Sequence, residues 1–376
     1  MSSVAFICEL KLGMGHLART LALAGTFARN FRVSLILITE TAIEVNVPPA
    51  VTLHVIAPAT DTMNGFRSTI SGILDVITQA EAAAIIVEYF PFGRLESAFT
   101  YALLIRMLRS RWQRNVKVLS SVRDIMDAGY TPAEAELMAR FANQYFDGIL
   151  VHSQPSITRL EDTFSAFQSI RIPVYYTNYV SRHAPVTSTA RQSASNTVLV
   201  SVGGGRTGES LLCCAIAAAR ANLLNGYRMK ILAGKMLFDN EWEHLVASCA
   251  CMRGSLELLR WVPDLFEELR CAAVSVSRCG YNTTQDVLAS GVRALMVPRD
   301  LESEDEQVQR ARILSRLGLV RMLPESEMTP ESLAREIQNT ASFERGPLKL
   351  RFNGAERTSE IVTELIAGRH PALQPE

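Results

Sequence analysis

Short β-rich apolar runs alternate with amphipathic helical stretches along almost the whole chain. Six such runs fall in the first half: VAFIC (4–8), VSLILI (33–38), VTLHVI (51–56), AIIVE (84–88), VKVLSSV (116–122) and GILVH (148–152). Helical patterns follow most of them, at 16–29, 66–79, 94–112, 131–144 and 154–164. Strands that alternate with helices in this way predict parallel sheets joined by crossover helices.

The alternation stops once and then restarts. Residues 183–196, HAPVTSTARQSASN, are poor in apolar residues and predict a linker. Later strands are predicted at 196–202, 228–232, 255–258, 273–277, 293–297 and 319–323, and helices at 209–222, 263–270, 282–290, 304–317, 329–341 and 353–367. The predicted fold class is therefore α/β, with two doubly wound Rossmann-like domains, 1–182 and 197–345, facing a central cleft. A C-terminal helix and tail, 346–376, would be free to pack back on the first domain.

The composition suits an ordinary two-domain protein of 376 residues, of which 48% are hydrophobic. Lys+Arg and Asp+Glu both number 38, so the net charge favours neither nucleic acid nor an anionic membrane. Apolar stretches are too short for a membrane span, and the seven cysteines follow no zinc or redox spacing. We expect a cytoplasmic protein without a metal. A basic stretch at 106–117 is compatible with membrane association, but it is more typical of a solvated helix end.

The segment CELKLGMGHLART (8–20) places a glycine turn between the first strand and the first helix. Gly13 and Gly15 fit a loose dinucleotide-binding pattern, but four residues separate the strand from the first glycine and His16 occupies the tight part of the turn. We favour a turn that aims His16 at a substrate. A helix N-terminus disfavours imidazolium, so the ring would stay neutral and serve as a general base. The alternative is a histidine that only caps the helix.

A second glycine turn, in VSVSRCGYNTTQD (274–286), predicts a diphosphate site. Gly280 permits a tight turn after a strand, and the N-terminus of the next helix offers backbone N–H groups, hydroxyl donors and the positive end of a dipole. The residues expected to take part are Ser277, Gly280, Tyr281, Asn282, Thr283, Thr284 and Asp286. The alternative is that the Asn and Thr side chains cap a helix and that the aspartate complements its dipole.

Two further segments of the second half complete the predicted donor site. The loop Gly203, Gly204, Gly205 and Arg206 follows the first strand of that half and would bring N–H groups and a guanidinium to the same diphosphate. Glu306 and Gln307 precede a helix, where they would hydrogen-bond sugar hydroxyls. The glycines could also form only a flexible turn, and acids at a helix start are often solvated complements of the dipole.

Two carboxylates end strands of the first half, Glu88 in VEYFPFG and Asp124 in SSVRDIM. Either could orient His16, as an acid orients imidazole in Ser-His-Asp systems, or act as the base itself. Glu88 could instead form an ion pair with Arg94 or Arg123. The aromatic residues at 89, 90 and 92 either line an acceptor site or pack in the core.

Together these motifs carry a resemblance to a known family. The shared segments are GMGHLAR (13–19), EYFPFGR (88–94), SVRDI (121–125), the glycines at 203–205, SRCGYNTTQD (277–286) and EDEQ (304–307). In them the chain resembles GT-B glycosyltransferases of family 28, the group containing the N-acetylglucosaminyltransferase of peptidoglycan synthesis and a set of bacterial predicted glycosyltransferases.

The resemblance implies a nucleoside diphosphate sugar, most simply UDP-linked, as co-substrate in the second domain, with no other cofactor. It places Gly280, Thr283 and Thr284 at the diphosphate, Asp286 at the ribose, and Glu306 and Gln307 at the sugar. The nucleobase would lie near Arg260–Pro263, with Val262 as a binding residue. The expected reaction is inverting, metal-independent transfer to a hydroxyl of an unknown acceptor in the first domain. Two alternatives stay open, a nucleotide-sugar hydrolase that uses water and a noncatalytic nucleotide-sugar-binding protein.

Overall fold

A computed structural model describes residues 1–10, 14–40, 44–60, 62–111, 116–126, 129–186, 195–205, 208–224, 226–250, 252, 254–300, 305–347 and 349–372. Gly13 and Arg206 of the predicted sites, most of the predicted linker and part of the basic stretch at 106–117 lie outside these residues. The chain divides into two compact units. Unit 1 contains Met1–Met126, Tyr130–Ser181 and Asn353–Glu376, and unit 2 contains Asp127–Gly129 and Arg182–Phe352.

Unit 1 is built on a parallel sheet with helices on both faces. Its strands are β1 (Ser3–Glu9), β2 (Arg32–Ile38), β3 (Val51–Ile56), β4 (Ala82–Glu88), β5 (Lys117–Val122), β6 (Gly148–Val151) and β7 (Val174–Tyr176), in the order β3-β2-β1-β4-β5-β6-β7. Its helices are α1 (Gly15–Phe27), α2 (Met63–Gln79), α3 (Ala98–Arg111), α4 (Pro132–Tyr145) and α11 (Gly354–Ile366). Apolar side chains fill the space between sheet and helices, and α11 adds Ile361 and Leu365 to the cluster that contains Leu23 and Phe27 of α1.

Unit 2 repeats this plan with a smaller sheet. Its strands are β8 (Thr197–Ser201), β9 (Arg228–Leu232), β10 (Leu256–Leu259), β11 (Val274–Ser277), β12 (Arg293–Met296) and β13 (Arg321–Met322), in the order β10-β9-β8-β11-β12-β13. Its helices are α5 (Glu209–Arg220), α6 (Asp239–Cys249), α7 (Leu265–Cys271), α8 (Tyr281–Ser290), α9 (Glu306–Arg316) and α10 (Pro330–Ala341). All pairings in both sheets are parallel, which confirms the predicted doubly wound α/β class.

One predicted helix is wrong. Residues 154–164 form turns and a short 3₁₀ helix at Leu160–Asp162. Local polar contacts replace the helical bonds there, because the Ser153 hydroxyl donates to the Thr158 carbonyl at 2.8 Å and the Leu160 N–H donates to the Tyr176 hydroxyl at 2.8 Å. Within the described ranges, no helix has the length and apolar character that crossing a membrane requires.

Candidate functional site

The order of the strands in unit 1 places a crevice between β1 and β4. From β1 the chain moves to β2 and β3 on one side, whereas β4 to β7 lie on the other. Ligands of open α/β sheets bind outside the carboxyl ends of the strands at such a reversal. His16, in the first turn of α1 after β1, and Glu88, the last residue of β4, lie at this position.

His16 and Glu88 are in direct contact. The imidazole Nδ1 lies 2.8 Å from Oε1 of Glu88, and the Arg19 guanidinium donates to the same carboxylate oxygen. The side chains of Arg19 and Glu88 are only 2% and 3% exposed, whereas His16 is 15% exposed. The carboxylate and guanidinium are therefore buried as a pair beneath an imidazole that reaches the surface.

The surroundings of this pair fix its protonation. Burial alone would raise the pKa of Glu88, but the charge of Arg19 and hydrogen bonds from His16 and Ser121 outweigh it and lower the pKa to about 2. Burial lowers the pKa of His16 to about 4, although Glu88 opposes this shift. At neutral pH His16 is therefore neutral beside an ionised carboxylate, so Nδ1 must carry the proton. Nε2 is left with a lone pair that can accept a proton.

Tyr89 packs against the imidazole from the loop after β4. Its backbone has φ 68°, a left-handed conformation that a tyrosine rarely adopts, and its ring centroid lies 4.7 Å from that of His16. The Arg123 guanidinium lies 4.9 Å from the Tyr89 ring centroid. Phe90 and Phe92, in contrast, are completely buried in the core. Of the three aromatic residues, only Tyr89 contacts the histidine.

The other predicted carboxylate, Asp124, does not bind His16. It is buried, and its Oδ1 accepts a hydrogen bond from the Ile125 N–H at 3.0 Å. The imidazole Nδ1 instead donates to Glu88. Glu88 does form an ion pair, but with Arg19, whereas Arg94 pairs with Glu9 at 3.8 Å.

The sheet of unit 2 has an equivalent crevice between β8 and β11, because β9 and β10 lie on one side of β8 and β11 to β13 on the other. The glycine turn at 203–205 follows β8, and Gly280 follows β11. A Cβ placed on Gly203 would lie 3.8 Å from the hydroxyl of Thr283. The two glycine segments predicted from sequence therefore meet at this point.

The turn at 203–205 is tied to the loop after β9, and that loop is tied to the loop after β10. The Met236 N–H donates to the Gly204 carbonyl at 2.8 Å, and the Gly234 N–H donates to the Arg260 carbonyl at 2.9 Å. Gly205 has φ +99°, and a Cβ there would lie 2.6 Å from the Ala233 carbonyl oxygen. Half-buried Val262 follows two residues after Arg260. Loops from the ends of neighbouring strands thus converge, as a nucleotide site in this class of sheet requires.

Helix α8 begins beside the glycine turn. Its N-cap is Gly280, which has no side chain to cap the helix. The first N–H groups of a helix have no acceptor within the helix, and its dipole favours an anion there. Thr283 and Asn282 are half-buried, whereas Thr284 is buried and donates its hydroxyl to the Gly280 carbonyl at 2.9 Å. The Thr284 hydroxyl is thus engaged within the helix, whereas the Thr283 hydroxyl lies beside the glycine turn.

Asp286, predicted to bind ribose, is already engaged. Its buried carboxylate accepts a hydrogen bond from the Arg182 guanidinium at 2.7 Å. Burial raises the pKa of Asp286, and the charge of Arg182 opposes this shift. A ribose contact there would have to share the carboxylate with Arg182 or displace it.

The predicted sugar contacts also have partners within unit 2. Glu306 lies 3.2 Å from Arg310, whose guanidinium donates to the Cys279 carbonyl at 2.7 Å, and the Gln307 side-chain oxygen accepts from the Arg299 N–H at 3.3 Å. Glu306 thus helps to hold the turn before α8. Among the described residues, no three His, Cys, Asp or Glu side chains form a metal-binding group.

The remaining predicted residues are placed less centrally. Gly15 begins α1 and is exposed, and Ser277 and Tyr281 are buried. Sequence reasoning missed Arg19, Ser121 and His152 as neighbours of Glu88. Arg19 was detectable, because a residue three positions after His16 lies on the same face of a helix.

Comparison with known proteins adds to these observations. Residues 199–357 match the glycosyltransferase family 28 C-terminal domain. The UDP-N-acetylglucosamine–N-acetylmuramyl-(pentapeptide) pyrophosphoryl-undecaprenol N-acetylglucosamine transferase of Acinetobacter baylyi is 24% identical over 180 residues, which are 47% of this chain and 49% of that enzyme. The enzyme of the same name from Cupriavidus necator is 25% identical over 74% of this chain and 84% of its own length. The match thus spans about half the length of the Acinetobacter baylyi enzyme and 84% of the length of the Cupriavidus necator enzyme.

Solved structures show the same architecture. MurG of Acinetobacter baumannii superimposes with a TM-score of 0.57 at 16% identity, over 99% of this chain and 96% of that one. TcCGT1 in complex with UDP gives a TM-score of 0.61 at 16% identity, over 98% and 100%. The two Rossmann-like units are therefore those of the GT-B class. Within this class, residues 199–357 resemble the C-terminal domain of family 28 glycosyltransferases.

Proposed function

We propose that this protein transfers a sugar from a nucleoside diphosphate sugar, most simply UDP-linked, to a hydroxyl group of an acceptor. The observation that carries the proposal is the meeting of the 203–205 turn with the start of α8 in the region that matches the family 28 C-terminal domain. The relatives from Acinetobacter baylyi and Cupriavidus necator are named for a UDP-sugar donor, which supports the choice of nucleotide.

In the proposed reaction His16 is the general base. Nε2 takes the proton of the acceptor hydroxyl, the acceptor oxygen forms a bond to the anomeric carbon, and the bond from that carbon to the diphosphate oxygen breaks. Attack opposite the leaving group inverts the configuration. The N–H groups at the start of α8 and in the 203–205 turn stabilise the charge on the departing nucleoside diphosphate, as preorganised dipoles do in other enzymes. Asp286, Glu306 and Gln307 are proposed to lie near the ribose and sugar, and Val262 near the base.

We expect nucleoside diphosphate release to require an acceptor and to survive chelation. The test incubates the protein with UDP- and dTDP-sugars, with and without bacterial cell extract, in the presence and absence of EDTA. Release that depends on extract and is unchanged by EDTA supports the proposal. Release in buffer alone would indicate a hydrolase, strong inhibition by EDTA would contradict the helix-dipole account, and binding without release would indicate a noncatalytic protein.

The pH profile of kcat/KM should be flat near neutrality and fall on acidification through about pH 4. His16 must be neutral to accept a proton, and its pKa is lowered to about 4 by burial. Glu88 stays ionised throughout this range because its pKa is about 2. Initial rates between pH 3.5 and 8, with recovery on return to pH 7 as the stability control, test this expectation. An acidic limb near pH 6.5, the value of an ordinary histidine, would contradict it.

Gly205→Ala should weaken donor binding by at least about tenfold. The new methyl group would collide with the Ala233 carbonyl in a backbone conformation that strains alanine, so the turn must move. Gly318→Ala is the matched control, because its φ of +67° imposes the same kind of backbone strain, nothing lies within 4 Å of the new methyl group, and the residue is outside the proposed donor site. Titration calorimetry with UDP measures both variants, and equal affinities would argue against a donor site at this turn.

A further inference from the structure

A line of buried polar contacts continues from Glu88 across three more strands. The Ser121 hydroxyl, at the end of β5, lies 2.8 Å from Oε2 of Glu88 and 2.9 Å from Nε2 of His152. His152 follows β6, and its Nδ1 lies 2.8 Å from the hydroxyl of Thr177, which follows β7. The side chains of Ser121, His152 and Thr177 are completely buried. The series of contacts begins at the carboxylate that binds His16, and none of these three side chains is exposed to solvent.

The available protons determine which residue donates in the hydrogen bonds from His152 to Glu88. An ionised carboxylate can only accept hydrogen bonds, so the single hydroxyl proton of Ser121 goes to Glu88. The Ser121 oxygen must then accept from His152, which places a proton on Nε2 of that ring. Burial lowers the pKa of His152 to about 3, so the ring is neutral and its Nδ1 is an acceptor 2.8 Å from the Thr177 hydroxyl, which also lies 3.3 Å from the Val151 carbonyl and 3.1 Å from the Asn178 carbonyl. The donors of Ser121 and His152 therefore point toward Glu88.

We propose that His152 is a positioning residue. It acts through Ser121 to hold the Glu88 carboxylate in the orientation that keeps the proton of His16 on Nδ1. His152 touches neither substrate nor reacting atoms in this account. It fixes the second oxygen of Glu88, so that the first oxygen stays directed at His16 and Arg19. The inference deepens the proposed function and rests on it for its catalytic meaning, but the state of His16 can be measured without any activity.

Removing this support has a defined effect on His16. If His152 no longer donates to Ser121, that hydroxyl is less firmly held and its hydrogen bond to Oε2 of Glu88 weakens, so the carboxylate carries more uncompensated charge. The charged groups that act on His16 are Glu88, Arg19 and Arg123. With the two arginines unchanged, a more negative Glu88 favours imidazolium, so the pKa of His16 should rise and the Nδ1–H form should lose its dominance.

The experiment follows the ring nitrogens of His16 by NMR of ¹⁵N-histidine-labelled full-length protein. His152→Leu and Ser121→Ala should each raise the titration midpoint of His16 measurably and mix its tautomers. His152→Gln, whose amide N–H replaces the Nε2 donor, should restore the wild-type state. Ser120→Ala is the matched control, because the neighbouring buried hydroxyl donates to the Phe90 carbonyl at 2.7 Å instead. Either Ser121→Ala or His152→Leu suffices if the other fails to fold.

In an active preparation, the same two variants should lower kcat about tenfold, leave the KM for the donor unchanged and move the acidic limb of the pH profile upward. The inference is overturned if wild-type His16 carries its proton on Nε2, or if both variants leave its tautomer and midpoint as in the wild type. Absence of turnover with every donor would overturn the proposed function, while the NMR result would still decide the role of His152.

Discussion

His16→Ala should lower turnover by about 10²–10⁴-fold while leaving the affinity for UDP unchanged. General bases contribute accelerations of roughly this size, and the variant removes the only ring nitrogen that the Glu88 contact leaves as a proton acceptor. The binding residues of unit 2 are untouched by the change. Turnover is measured as nucleoside diphosphate release with saturating donor and extract, and affinity by calorimetry.

His244→Ala is the control for this experiment, because His244 is an exposed histidine on α6 and should leave both quantities unchanged. If His16→Ala kept more than about half of the wild-type turnover, another group would have to be the base. If it abolished UDP binding, His16 would belong to the donor site, as in the dinucleotide interpretation of the first glycine turn.

Glu88→Gln should destabilise the protein by about 3–5 kcal/mol, because it leaves the guanidinium of Arg19 buried without a counter-charge. It should also lower turnover by roughly 10²-fold or more, since an amide no longer fixes the proton of His16 on Nδ1. Urea denaturation measures the first effect and nucleotide release the second.

The double variant Arg19→Met/Glu88→Gln separates these two effects. Removing both charges should recover much of the lost stability, because no unpaired ion remains buried. Activity should stay low, since the carboxylate is still missing. Recovery of activity together with stability would show that Glu88 acts only through the fold, and unchanged stability in Glu88→Gln would contradict the buried ion pair.

The sequence predicted most of the fold because the strands are almost wholly buried and read as continuous apolar runs. The predicted strand at 84–88, for example, is observed as Ala82–Glu88. Two elements were missed for physical reasons. Strand β7 has only three residues, which is too short to show an alternating pattern. Helix α6 is polar and buries only Leu245, so its apolar residues show no helical periodicity.

The contact between His16 and Glu88 was among the predicted alternatives, because both residues follow strands whose carboxyl ends share one edge of a sheet. The choice of Glu88 over Asp124 depended on the strand order, which puts β4 beside β1 and β5 one strand farther away. The partner of Asp286 could not be predicted, because Arg182 lies more than 100 residues away in the sequence. Glu306 and Arg310 lie four positions apart on one helix, so their pairing was detectable, whereas the contact of Arg310 with the Cys279 carbonyl was not. Long-range polar contacts of this kind leave no periodic signal in a sequence.

The most direct test of the account is a crystal structure of the protein with bound UDP. We predict that the diphosphate lies within hydrogen-bonding distance of backbone N–H groups at the start of α8 and in the 203–205 turn, with the Thr283 hydroxyl beside it. A diphosphate bound at the glycine turn before α1, or anywhere else away from Gly203 and Thr283, would contradict it.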